Sequence, residues 1–152
     1  MPDSEEPIPD DTRLYRRLHP DQVVWDDNEQ RLRAGASSAA FKDEHLSVNL
    51  GNELVRLNET PAFALRAHPR HSLGWFTAAF ARSRDQVVVA RPTEDDPTHG
   101  EVVGRKTGSC ATAFAKVLEI EILRREFLRP EVRARLTSGP GLTQEPTQGL
   151  SE

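Results

Sequence analysis

The sequence predicts an α+β fold: a small mixed or antiparallel sheet packed against a long C-terminal helix, in a single domain. Three observations carry that prediction. Leu46-Ser47-Val48-Asn49-Leu50 alternates apolar and polar residues, which sets Leu46, Val48 and Leu50 on one face of a strand. Gln86-Val87-Val88-Val89-Ala90 has the β-branched content of an interior strand and stops at Arg91-Pro92. From Ser109 to Leu128, Phe114, Val117, Leu118 and Ile122 form one apolar stripe at helical spacing, and Ile120, Leu123 and Phe127 form a second. A helix with two such stripes would be buried on two sides.

Composition limits the function classes. A chain of 152 residues suits one domain, and 36% apolar with 29% charged residues suits a modest core. The net charge of -4 makes no electrostatic case for nucleic acid or a membrane surface. No apolar run approaches the roughly 20 residues that span a bilayer, and the acidic N-terminus lacks the regions of a signal peptide. A cytoplasmic location is the resulting expectation. Cys110 is the single cysteine, so it has no intrachain disulfide partner, and its apolar neighbours predict an inert packed thiol.

Residues 1–12 carry three prolines, three aspartates and two glutamates and read as an acidic tail, because too few hydrophobes are present to offset ordering entropy. The globular unit is expected over 13–136 and a second tail over 137–152. Leu14 to Leu18 reads as a short strand or a helical turn stopped by His19-Pro20. Gln22-Val23-Val24-Trp25 predicts a strand that returns through Asp26-Asp27-Asn28-Glu29 to Arg31-Leu32-Arg33, with Gly35 breaking the hairpin. Gly51 to Asn58 predicts a short helix. Leu73 to Arg84 is nearly continuously apolar and fits a buried helix or a buried strand equally.

The stretch Asp95 to Ser109 gathers the most chemistry. Pro97 pushes Asp96 toward extended geometry, so Asp96-Pro97-Thr98-His99 should turn, and Thr107 or Ser109 can cap the following helix. Arg105 and Lys106 would strengthen an anion site at that helix start, although the glycine spacing is not that of a phosphate-binding loop. In an enzymatic reading His19 and His99 would be acid and base, with Asp43 orienting one of them. Ser38, His99 and Asp43 also have the residue types of a hydrolase triad, without a nucleophile-elbow sequence. His68, His71, His99 and Asp96 could supply ligands to a divalent ion, but His-x-x-His without its glutamate is not the helical zinc-protease pattern, and no metal is assigned. No motif names a cofactor.

Two resemblances add expectations. Arg16 or Arg17 on an early strand followed by Ser37-Ser38 resembles the layout of ADP-ribosyltransferase-like domains, which implies an arginine on NAD phosphates, a serine shaping the nicotinamide pocket, and Glu101 in the late-strand glutamate position. Arg16-Arg17-Leu18-His19-Pro20, Ser37-Ser38-Ala39-Ala40-Phe41-Lys42-Asp43, Leu46-Ser47-Val48, Asp96-Pro97-Thr98-His99 and Gly104-Arg105-Lys106 resemble a group of small bacterial proteins with no established activity. That likeness runs from about residue 14 to residue 107. It implies a small binding or accessory component of a multi-gene defence or conflict system, with another protein or an anionic small molecule as partner. The rival expectation is a small ADP-ribosyltransferase-like or hydrolytic enzyme using His19 and His99, with an anion held at Arg105 and Lys106.

Overall fold

A computed structural model describes residues 7–26 and 33–138. Its main sheet is built from β1 (Arg13–Leu18), β4 (His45–Leu50), β5 (Ser72–Thr77), β6 (Val87–Ala90), β7 (His99–Val103) and β8 (Glu119–Ile122), in the order β6-β7-β4-β1-β5-β8. Every neighbouring pair is antiparallel. A separate hairpin pairs β2 (Val23–Asp26) with β3 (Arg33–Ala36). The helices are α1 (Gly51–Arg56), α2 (Ala78–Ser83), α3 (Gly108–Val117) and α4 (Pro130–Ser138).

The period-two pattern decides which face each strand residue takes. Leu14 and Leu18 of β1, Leu46, Val48 and Leu50 of β4, Phe76 of β5, Val88 of β6 and Val102 of β7 point inward to the larger core. There Phe114 of α3 meets Phe76 edge-on at 4.9 Å between ring centroids, Phe80 edge-on at 5.2 Å and stacks on Phe41 at 5.8 Å. Gly74 lets Leu118 lie against the sheet, since a Cβ there would fall 2.4 Å from Leu118 Cδ2. On the outer face Tyr15 and Leu73 form a smaller core with Leu54 of α1 and with Ala64 and Leu65, which belong to a 3-10 turn at Pro61–Leu65.

The C-terminal half corrects the sequence expectation. The long helix expected over 109–128 is instead α3, β8, a 3-10 turn at Arg125–Phe127 and the short α4. Thr107 caps α3 by accepting the Cys110 amide at 3.2 Å, and the chain leaves the helix at Leu118, whose φ of -60° and ψ of 135° are extended. Glu119-Ile120-Glu121-Ile122 alternates, so pairing Leu73↔Ile122, Gly74↔Ile120 and Trp75↔Glu119 gives it ladder partners that a continued helix would not. The stretch 73–84 divides at Thr77 into β5 and α2, with the Thr77 hydroxyl capping the Phe80 amide at 3.1 Å. Gly35 does not break the hairpin, because Val24↔Gly35 is one of its pairs; the turn at Asp27 to Glu29 lies outside the described residues. α1 stops short of Asn58, which takes a left-handed φ of 60°.

Of the expected N-terminal tail, residues 1–6 lie outside the described residues. Ile8 is buried in the larger core and Asp10 pairs with Arg82. The expected C-terminal tail lies outside the described residues from 139 onward. Among the described residues no helix is long and apolar enough to cross a membrane.

Candidate functional site

Two consecutive arginines define the centre of the sheet. β1 pairs with β5 along its whole length, from Arg13↔Thr77 to Leu18↔Ser72, but with β4 only at Leu14↔Leu50 and Tyr15↔Asn49. Where that second ladder stops, Arg16 turns its guanidinium inward: Nε donates to Ala40 O at 3.1 Å and Nη1 to Ser47 O at 3.0 Å. Burial pulls its pKa down, Asp43 opposes that and Arg17 adds to it. Arg16 remains a cation, because a guanidinium has ample margin above neutral pH.

Asp43 also acts on Lys106, so the structure brings Arg16, Asp43 and Lys106 into one electrostatic group at the start of β4. Lys106 Nζ donates to Val102 O at 2.9 Å, Gly104 O at 3.1 Å and Glu44 O at 3.3 Å. Those bonds engage all the donors an ammonium has. Burial lowers its pKa, against Cys110, Asp43 and Glu44 and together with Arg16. Arg105 is exposed and its carbonyl accepts from Gln86 Nε2 at 3.1 Å. Ser37 caps the 3-10 turn Ser38–Phe41 by accepting the Ala39 amide at 3.2 Å, and Ser38 is the first residue of that turn.

Arg17 takes the opposite face. It is half-buried, and among the described residues no hydrogen bond reaches its guanidinium. Burial lowers its pKa, Asp96 opposes and Arg66 reinforces. Arg66 is itself held: Nη1 donates to Phe63 O at 2.8 Å, Nη2 to Asp95 O at 2.6 Å, and the guanidinium lies 3.8 Å from the Phe63 ring centroid.

Two imidazoles, His68 and His71, feel the charge of Arg17, and a third, His19, packs on His71. His68-Pro69-Arg70-His71 is a β-turn closed by His71 N–H donating to His68 O at 3.1 Å, with proline at its second position, and the turn brings the two rings to 5.0 Å. His19 follows Leu18 while His71 precedes Ser72, so the Leu18↔Ser72 pair places them side by side; their rings lie edge-to-face at 5.6 Å. The Asp21 amide donates to His19 Nδ1 at 3.1 Å, so Nε2 carries the ring proton in that arrangement. The His71 Nδ1 atom is buried without a hydrogen-bond partner among the described residues. Burial lowers the pKa of His68 first, then Arg17 and Arg66; for His71 burial leads, followed by His68, His19, Arg17 and Arg16.

Asp96 closes the cluster from the far side. Asn49 Nδ2 donates to its two carboxylate oxygens at 3.2 and 2.9 Å and to Thr98 Oγ1 at 2.7 Å, while the Thr98 hydroxyl donates to Asp96 at 2.9 Å. Arg66 approaches the same carboxylate at 3.7 Å. The turn carries His99 onto β7, where Nδ1–H donates to Arg91 O at 2.8 Å and Nε2 faces Ser47 Oγ at 3.3 Å. His99 is therefore partnered with Ser47, whereas His19 is grouped with His71 and His68. Glu101 bonds His45 at 3.2 Å and Arg91 at 3.0 Å. Sequence reasoning did not single out Ser47 as a reactive residue; its place on the polar face of an alternating strand beside a turn bearing a histidine is the signal that could have found it.

Among the described residues no group of three or more histidine, cysteine, aspartate or glutamate side chains has the geometry to hold a metal ion. Compared with known proteins, the chain matches no family model, no curated protein and no solved structure.

Proposed function

We propose that this chain is a small binding domain whose ligand is an anion received by Arg17 among His19, His68 and His71. An accessory role beside another protein, in the bacterial defence or conflict setting that the sequence resemblance implies, belongs to the same proposal. The observation that carries it is Arg17: a half-buried cation with no hydrogen-bond acceptor among the described residues, near Asp96 and a second cation, Arg66, and near His68 and His71, with His19 packed on His71. Asp96, whose oxygens are already engaged by Asn49, Thr98 and Arg66, offsets only part of that charge, and a bound anion would supply further countercharge and the missing acceptors.

The test is thermal unfolding against a panel of small carboxylates, phosphates and sulfate. A ligand that binds the native state stabilises it by about 2.7 kcal/mol at 100 times its Kd. At least one anion should raise the melting temperature in the native chain and fail to do so in Arg17→Gln. An identical shift in both proteins, or no shift with any anion, would rule the reading out.

A second reading has one observation in its favour. Ser47 Oγ faces His99 Nε2 while the Arg91 carbonyl orients the other ring nitrogen, which is the arrangement that activates a serine, with a carbonyl in the usual place of the carboxylate. Labelling of Ser47 by a fluorophosphonate, lost in His99→Ala, would support a hydrolase. An unlabelled Ser47 would retire it.

A further inference from the structure

We propose that Arg17, His19, His68 and His71 form a receptor for a dianionic phosphoryl group, carried by phosphate itself or by a small phosphate monoester. This rests on the anion-binding reading above and narrows it from anions in general to one chemical class.

The geometry separates phosphoryl from carboxylate. A carboxylate presents its lone pairs in one plane, and a single arginine fork can satisfy it bidentately. Here the groups around Arg17 do not share a plane: the His19 and His71 rings are inclined by 88° and the His68 and His71 rings by 70°. Ring nitrogens so disposed point along different directions. A phosphoryl group has three terminal oxygens spread over a cone, so two can meet the Arg17 fork and the third an imidazole N–H. Neither the His68 nor the His71 side chain makes a hydrogen bond among the described residues, so no intramolecular partner need be displaced. His19 differs, because its Nδ1 is already an acceptor and only Nε2–H is available to a ligand.

The charges facing these rings fit the same class. Arg16 and Arg17 from β1, Arg66 just after the 3-10 turn and His19 just after β1 act on the His68–His71 turn, and Asp96 acts on Arg17 from the loop before β7. Arg70, within the turn, lies over the Phe127 ring at 5.5 Å. Cations around an imidazole oppose its protonation, and a bound dianion reverses that field. Phosphoryl binding should therefore draw protons onto the histidines, which a monovalent carboxylate would do more weakly.

The experiment is titration calorimetry of the full chain at neutral pH with phenyl phosphate, inorganic phosphate and benzoate, each in two buffers of different ionisation enthalpy. Phenyl phosphate or phosphate should bind at least roughly tenfold more tightly than benzoate, a difference of about 1.4 kcal/mol. Phenyl phosphate, a dianion at neutral pH because its second pKa is about 6, should take up on the order of one proton on binding, and His71→Asn should reduce that uptake while the far-ultraviolet spectrum stays native. Equal affinity for phosphate and its phenyl ester assigns recognition to the phosphoryl group alone; a tighter ester shows that the organic part also touches the protein. Both support the receptor. Benzoate binding as tightly as phosphate, or phenyl phosphate binding without proton uptake, would overturn the phosphoryl assignment and leave anion binding intact. No Arg17-dependent binding of any anion would end both. Should Arg17→Gln fail to fold, Arg17→Lys keeps the charge, loses the fork, and should still weaken phosphate.

Discussion

Arg16 and Arg17 are adjacent on one strand and have opposite fates. Arg16 faces the larger core and is tied to two carbonyls from separate segments; Arg17 faces outward, is half-buried, and has no hydrogen bond among the described residues. Burial lowers the pKa of both, so the difference lies in what surrounds them and not in their chemistry. A cation whose donors are matched by fixed acceptors holds a structure together. One whose donors are unmatched destabilises the native state slightly and is available to a ligand.

Four measurements can break that contrast or sharpen it. The largest effect is expected for Arg16→Ala, which leaves Ala40 O and Ser47 O without their donor and opens space beside the core. A loss of about 3 to 5 kcal/mol in urea unfolding is expected, and a loss under about 1 kcal/mol would show that Arg16 does not join β1, β4 and the Ser38–Phe41 turn. Next is Asn49→Leu, which keeps the bulk but removes the donor to Asp96 and Thr98, with an expected cost of about 1 to 3 kcal/mol. If stability is unchanged, the Asp96 turn is held by other means. Arg17→Gln should move stability by no more than about 0.5 kcal/mol, or raise it, because it removes a charge from a cationic neighbourhood. A loss comparable to that of Arg16→Ala would make the two arginines equivalent and remove the basis of the contrast.

The smallest effect is expected in pH. Burial and nearby cations hold His68 and His71 below the ordinary histidine value of 6.5. Between their native values and the ordinary one, the unfolded chain binds more protons than the native chain, so stability rises with pH through that window and declines on acidification. Melting temperatures followed from about pH 7.5 down to about pH 5 should fall less steeply in His71→Asn than in the parent chain. Parallel curves would show that this histidine does not contribute.

What was legible in the sequence follows how local each signal is. The strand at Leu46 to Leu50 was readable because one face is apolar and the other carries Ser47 and Asn49, so its period survives in the residue order. β5 has cores on both faces, one holding Phe76 and the other Leu73, and its nearly continuous apolar run hides the period. The C-terminal error arose from Glu119-Ile120-Glu121-Ile122, whose isoleucines also fall on helical stripes; the choice was made by β5, which offers an edge to pair with. Of the site, the His68-Pro69-Arg70-His71 turn carries a local mark in its proline. Bringing His19 to His71 required the pairing of Leu18 with Ser72, a relation between distant segments that no local pattern encodes.

The position of β1 within the sheet also constrains how the chain can assemble. It is the first strand among the described residues yet sits between β4 and β5, so the ribosome releases it long before either neighbour exists. Closing contacts across such separations carries an entropic delay, and proteins organised this way fold more slowly than those built from adjacent hairpins. The earliest complete centre of this sheet must wait for Thr77 to emerge, and until then Leu14 and Leu18 are exposed hydrophobes on a nascent chain.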